Sequence, residues 1–162
     1  MDDSLAVLLL PGKLEGLVLE GHARDLLSIP RVVALEPPRV RPPRFLREAT
    51  SLRQARRLRF PGRLRLLVLY HPAQYPLARA LCAYHEDLEL WYIPPGREAL
   101  AADEAHTREL LAFDELARER ARQVLTVTEG GGVDDAPLRA RLRELDVISP
   151  RAFIPRGRPR GR

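Results

Sequence analysis

The sequence predicts an α/β domain, a Rossmann-like three-layer sandwich of about five mostly parallel strands with helices on both faces. Five short apolar runs are separated by amphipathic segments, and turn residues follow most of the runs. Leu5–Leu10 and Leu64–Tyr70 are almost continuously apolar, as strands covered on both faces require. Strict alternation of strand and helix implies right-handed crossovers and a parallel sheet. We expect a strand order near 3-2-1-4-5.

The five strands are predicted from apolar runs that end in glycine or proline turn chemistry. They cover Leu5–Leu10, Arg31–Leu35, Leu64–Tyr70, Leu88–Ile93 and Gln123–Val127.

Helices are predicted between and after the strands from apolar residues at helical spacing. Pro76 and Pro137 fit first-turn positions, and Asp134 or Asp135 can cap the last helix. The fourth helix is expected to bend or break near Thr107. The predicted helices cover Leu17–Ile29, Arg44–Leu58, Pro76–Tyr84, Arg97–Arg122 and Ala136–Leu145.

The length of 162 residues fits one domain, which we place at residues 1–150. The basic tail 151–162 is expected to be disordered. Cys82 is the single cysteine, so no disulfide forms within the chain. No apolar run is long enough to cross a bilayer, and two aspartates precede the first run where a secretory signal carries positive charge. A cytoplasmic location is therefore expected.

The net charge of +5 favours an anionic partner, and Arg39–Arg65 holds ten arginines against one acid, Glu48. Lys13 is the only lysine among 27 basic residues, however, and such a skew also fits a GC-rich genome. The arginine-rich segment therefore indicates either a nucleic-acid or polyanion surface or a solvated basic face.

Candidate binding residues follow the predicted strands, because ligands of parallel α/β sheets bind at the carboxyl ends of the strands where the order reverses. In the predicted order this point lies between strands 1 and 4. The candidates, together with His22 of the first helix, are Gly12, Lys13, Glu36, Tyr70, Gln74, Tyr75, Tyr92, Thr128 and Glu129.

The segment Tyr70–Tyr75 is the most unusual of these loops. His71 is the candidate catalytic residue, since an imidazole can act as a general base near neutral pH. The neighbouring tyrosines and Gln74 can bind sugar hydroxyls. In the alternative interpretation, the aromatic side chains only cap the core.

The remaining motifs argue for no cofactor and no metal. The loop at Gly12-Lys13 lacks the phosphate-loop spacing, and G-x-G-x-x-G is absent. The Gly130–Gly132 loop can approach an anion closely, but Asp134 and Asp135 would repel one. Cys82 and His85 form a C-x-x-H pair without a second pair to complete a zinc site.

The order of the segments GHARDLL, RVVALEPP, LVLYHPAQYPLARAL, ELWYIPP and ELLAFDELARERARQVLTVTEG resembles the amino-terminal domain of bacterial glycosyltransferases of the two-domain GT-B type. The resemblance covers roughly residues 5 to 130. It implies an acceptor-side domain for a sugar or glycolipid, active only with a donor-binding domain or partner. Two places depart from the family pattern: Glu129–Gly132 replaces a polar turn, and Ile93-Pro94-Pro95 replaces an acidic residue.

Three functions therefore remain open. The favoured one is an acceptor-binding, glycosyltransferase-like domain of a truncated, degenerate or split enzyme. The second is a nucleic-acid or polyanion-binding module that uses Arg39–Arg65 and the basic tail. The third is a non-catalytic interaction domain, or a homodimer, in which Leu138, Leu142 and Leu145 dock on another chain.

Overall fold

A computed structural model describes residues 3–12, 19–36, 47–96, 100–101, 106–128 and 132–148. Lys13, Glu129 and the tail 151–162 lie outside these residues, so the predictions made for them stay predictions. The strands are β1 (Ser4–Leu9), β2 (Val32–Leu35), β3 (Arg63–Leu69), β4 (Glu89–Tyr92) and β5 (Gln123–Val124). The helices are α1 (Glu20–Leu27), α2 (Arg47–Arg57), α3 (Tyr75–Tyr84), α4 (Thr107–Arg120) and α5 (Ala136–Glu144).

The five strands form one sheet in the order β2-β1-β3-β4-β5, and every pair is parallel. The predicted Rossmann-like three-layer sandwich is confirmed. The predicted order 3-2-1-4-5 is wrong, because β3 pairs directly with β1. The observed order is the other common doubly wound arrangement, known from flavodoxin-like sheets. The reversal of strand order therefore lies between β1 and β3.

Helices cover both faces of the sheet, and each face has its own apolar core. On the first face, α1 contributes Ala23 and Leu26 and α5 contributes Leu138 and Leu142. On the second face, α2, α3 and α4 contribute residues such as Ala55, Leu81 and Ala117. All six residues of β1 are buried, because helices pack on both sides of it. This explains why the first apolar run does not alternate.

One of the three functions left open had the leucines of the last helix docking on another chain, but these side chains are buried within this chain. Leu138, Leu142 and Leu145 belong to the core of the first face and are 6 % exposed or less. Burying them in the chain itself removes apolar area from water without a partner.

The last strand is shorter than the predicted Gln123–Val127. It ends at Val124, and Val127 instead makes an antiparallel bridge to Val133. The Thr128 amide and hydroxyl both donate to the Gly132 carbonyl, at 2.7 and 3.0 Å, which turns the chain towards α5. This hydrogen bonding fixes where the chain leaves the sheet edge.

A close approach accounts for the glycine before β3. A Cβ at Gly62 would overlap the carbonyl oxygen of Asp3, the residue that precedes β1. That carbonyl also accepts a hydrogen bond from the Arg63 amide at 2.9 Å. Gly62 therefore lets β3 begin directly alongside β1.

Candidate functional site at the carboxyl edge of β1 and β3

The carboxyl ends of β1 and β3 lie side by side, because Leu9 is in register with Leu69. Pro11-Gly12 leaves one strand and Tyr70-His71 leaves the other at the same edge. Among the described residues, apart from its chain neighbours, no heavy atom lies within 4 Å of the position that a Cβ would take at Gly12. In doubly wound sheets, ligands bind at the edge where the strand order reverses.

His22 and Tyr70, predicted separately, meet at this edge. The Tyr70 hydroxyl lies 3.3 Å from His22 Nδ1, and the two rings are edge to face with centroids 6.1 Å apart. Tyr70 directly follows β3 and is 4 % exposed, whereas His22 is in the first turn of α1. A side chain from the helix after β1 therefore contacts a side chain from the strand that neighbours β1.

Asp135 completes the group from the opposite end of the chain. It occupies the N-cap position of α5, but its side chain makes no capping hydrogen bond. Its Oδ2 instead lies 3.3 Å from His22 Nε2 and accepts a hydrogen bond from Arg139 Nε at 3.0 Å. Arg139 also pairs with Asp25 of α1. The Tyr70 hydroxyl thus contacts the His22 imidazole, which contacts the Asp135 carboxylate; these three groups are called the Tyr70–His22–Asp135 series below.

Burial is the largest influence on the pKa values of His22 and Tyr70. Desolvation lowers the pKa of His22, and the Asp135 carboxylate opposes that shift without overcoming it. Desolvation and the Asp135 charge raise the pKa of Tyr70, so its hydroxyl keeps its proton. A protonated Tyr70 donates to Nδ1, which places the single proton of neutral His22 on Nε2, facing Asp135.

The contact between His22 Nε2 and Asp135 is incomplete. The Asp135 carboxylate at ion-pair separation acts on the pKa of His22 as a hydrogen-bond acceptor, but among the described residues the buried Nε2 has no hydrogen bond of good geometry. A buried donor without a partner costs about 1–3 kcal/mol. Hydrogen bonds in catalytic sites are often long without substrate and tighten when it binds.

His71, the predicted catalytic residue, has a local structural role. Its Nδ1 accepts a hydrogen bond from the Ala73 amide at 3.1 Å and caps the 3-10 turn Pro72–Gln74. Because Nδ1 accepts this hydrogen bond, the proton of the neutral His71 ring is on Nε2. Neither ring nitrogen can then accept a proton from a substrate unless the hydrogen bond from Ala73 breaks. The geometry favours His22 over His71 as the base.

Two of the predicted tyrosines lie on the second face of the sheet, away from His22. Tyr75 is buried against Phe113 of α4, with ring centroids 6.1 Å apart. Tyr92 is fully buried and donates a hydrogen bond of 2.7 Å to Asp114. For Tyr75, the packing favours the alternative that the aromatics of its loop cap the core, and Tyr92 is a core residue as well.

The other predicted binding residues lie along the same edge with different surroundings. Glu36 follows β2 and is exposed, and Gln74 is half-buried at the N-cap of α3. Thr128 is exposed and its hydroxyl closes the turn to Gly132. In the described part of the chain, no hydrogen bond or ion pair joins these three residues to His22, and their roles stay predictions.

Sequence reasoning missed Asp135 and Arg139 as site residues. They lie far along the chain from His22 and match no motif. The sequence did offer one signal for Asp135. The pair Asp134-Asp135 precedes a predicted helix and places a carboxylate at its start. A helix that follows a parallel strand begins at the ligand-binding edge of the sheet, so this carboxylate lies at that edge.

The chain matches no protein-family model, no curated protein and no solved structure. In the described part of the chain, no helix is long and apolar enough to cross a membrane. The same residues contain no cluster of three or more histidine, cysteine, aspartate or glutamate side chains suited to a metal ion.

Proposed function

We propose that the crevice between β1 and β3 binds a hydroxyl-bearing acceptor and removes its proton, and that the chain is the acceptor-side half of a glycosyltransferase-like enzyme. The observation that carries the proposal is the Tyr70–His22–Asp135 series at the strand reversal. A hydroxyl, an imidazole and a carboxylate in line form the arrangement in which a base is oriented by a third group.

Each residue of the series has one task in this proposal. An acceptor hydroxyl hydrogen-bonds to Tyr70 and passes its proton to the phenol oxygen as Tyr70 gives its own proton to His22 Nδ1. His22 is then a cation, and the Asp135 carboxylate stabilises it. Burial keeps His22 neutral beforehand, which is the state that can take up a proton.

The order of the segments along the chain, rather than the order of strands in the sheet, supports the acceptor-side assignment. His22 lies in the segment GHARDLL and Tyr70 in LVLYHPAQYPLARAL, two of the segments that carry the resemblance to the GT-B amino-terminal domain. Both segments reach the same edge of the sheet. Because the same fold supports many chemistries, the proposal depends on these side chains and not on the fold.

Acceptor binding can be tested by saturation-transfer NMR of the full chain against a panel of glycosides and glycolipid headgroups. We expect at least one polyhydroxylated ligand to bind and to shift the amide signals of Gly12, Tyr70 and His71. His22→Gln should abolish the effect, since it removes the imidazole that contacts Tyr70 and so changes how the Tyr70 hydroxyl meets the acceptor.

His85→Gln is the matched control. His85 is also a histidine with a pKa lowered by burial, but it ends α3 and its ring packs on Phe60. Its substitution should leave acceptor binding unchanged. Binding that survives in His22→Gln, or shifts that map away from β1 and β3, would refute the proposal.

A further inference from the structure

A concave surface at the end of α2 is lined by four arginines, Arg53, Arg56, Arg57 and Arg59. The chain passes from this helix into β3, which starts at Arg63. The surface, called the arginine cradle below, therefore lies towards the amino edge of the sheet. It is at the opposite edge from Tyr70 and His22.

The charges of the arginine cradle are not neutralised by the described part of the chain. None of its four guanidinium groups is in an ion pair there. Arg59 donates only to backbone carbonyls, those of Arg56 at 2.8 Å and Leu58 at 3.4 Å. By contrast, Arg24 and Arg118 each pair with a carboxylate one turn away on their own helices.

Helix electrostatics explains only part of this cluster. The negative end of the helix dipole favours a cation in the last turn by about 0.3–1 kcal/mol, which suits Arg56 and Arg57. Arg53 lies a turn earlier and Arg59 beyond the helix. Four like charges around one depression repel one another, and a bound anion would relieve that repulsion.

Guanidinium chemistry and the shape of the surface together indicate the class of anion. Arginine presents a planar fork of donors that binds phosphate oxygens in pairs. A single strand of nucleic acid is usually held by a groove with stacking aromatics, whereas the described residues that line this depression are all arginines. A compact ligand with several phosphate groups fits better.

We propose that the arginine cradle binds the phosphate groups of a small polyphosphate-bearing ligand. This site is separate from the acceptor crevice, and its binding is independent of His22. The charge run Arg39–Arg65 thus contains a defined anion site in addition to its solvated residues.

The test is isothermal titration of the full chain with tripolyphosphate at low ionic strength. The variant Arg56→Gln/Arg57→Gln should bind about 100-fold more weakly, at roughly tenfold for each charged hydrogen-bonding group removed. The control Arg24→Gln/Arg118→Gln removes the same charge from exposed positions on other helices and should bind like the unaltered chain. Glutamine preserves helix propensity, so α2 should remain folded.

Several outcomes would overturn the proposal. These are no binding of tripolyphosphate by the unaltered chain, equal weakening in both double variants, or cradle-dependent binding of single-stranded RNA or anionic lipid vesicles without binding of tripolyphosphate. If circular dichroism shows that the Arg56/Arg57 variant is unfolded, Arg53→Gln and Arg59→Gln replace it, each with an expected loss of about tenfold.

Discussion

His22 experiences opposing influences on its protonation. Desolvation favours the neutral ring, and Arg139 acts in the same direction. The carboxylates of Asp135 and Asp25 favour the cation, while Tyr70 makes the contact to Nδ1. Because desolvation is the largest of these influences, the pKa of His22 lies below 6.5 in the folded chain.

This imbalance predicts how stability depends on pH. Since the folded-state pKa is lowered, the unfolded chain binds a proton more readily at pH values between that pKa and 6.5. The contribution of neutral His22 is complete above 6.5 and is lost as the pH falls towards the folded-state pKa. The free energy of unfolding should therefore decrease with acidification, by at most about 1.4 kcal/mol per pH unit for this one group.

Urea unfolding of the unaltered chain and of His22→Gln, between about pH 5 and 8, measures the effect. The variant should show a shallower dependence in this range. The His85→Gln chain separates the contribution of His85, whose pKa burial also lowers. Identical slopes in the unaltered chain and His22→Gln would contradict the prediction.

The sequence identified two of the three residues of the Tyr70–His22–Asp135 series as candidates, but it did not predict that they contact one another. Tyr70 was a candidate because it follows a strand, and His22 because the resemblance to the GT-B domain places a histidine on the first helix. Their contact depends on β3 lying next to β1, which no local pattern encodes. Asp135 was recognised as a possible cap, and only the packing of α5 directs its carboxylate to His22.

Among the elements, α5 is held to the sheet by charge as well as by its leucines. Arg141 donates to both oxygens of the Glu89 carboxylate at the start of β4, with Nε at 3.1 and 3.0 Å, and also to Glu144 at 2.7 Å. Arg122 and Trp91 donate to the same Glu89 carboxylate. Burial alone would raise the pKa of Glu89, but the hydrogen bonds from Arg141 and Trp91 outweigh it and the pKa is lowered.

Removing Arg141 should loosen this attachment. Arg141→Met keeps the apolar stem but leaves a largely buried carboxylate without its main partner, at a cost of about 1–3 kcal/mol. Arg24→Met is the control: its pair with Glu20 is exposed on one helix, so the change should stay within about 0.5 kcal/mol. Chemical unfolding of both variants checks the difference, and equal losses would contradict it.

The elements themselves were largely predictable, whereas their ends were not. All five strands and five helices occur where apolar periodicity placed them, and α4 begins at Thr107, where a break was expected. Strand β5 ends at Val124, beyond which Val127 pairs with Val133 and Thr128 hydrogen-bonds to Gly132. Such bonds join residues whose types alone predict only a flexible turn.

For the whole molecule, the position of each strand in the sheet should set its local stability. β1 and β3 each have neighbours on both sides, whereas β2 and the two-residue β5 are edges. Amide hydrogen exchange should be slowest at central, fully buried positions such as Val7 and Leu67 and markedly faster at Val124. Native-state exchange followed by NMR tests this, and similar protection across all five strands would contradict it.

The strand order was the part of the fold that the sequence left undetermined. Near-continuous apolar runs indicate that both faces of a strand are covered, but not which strand lies beside it. Both common doubly wound orders place the first two strands together and satisfy the same crossover rule. The difference is whether the third strand pairs with the second or the first, and this moves the predicted crevice.

The late position of Asp135 has a consequence during biosynthesis. A ribosome completes His22 and Tyr70 first and reaches Asp135 about 65 residues later, which takes roughly 3 to 13 s at roughly 5–20 residues per second. A nascent chain thus holds two members of the series while the third is still being made. The acceptor crevice gains its carboxylate only when the last helix has been synthesised and has docked on the first face of the sheet.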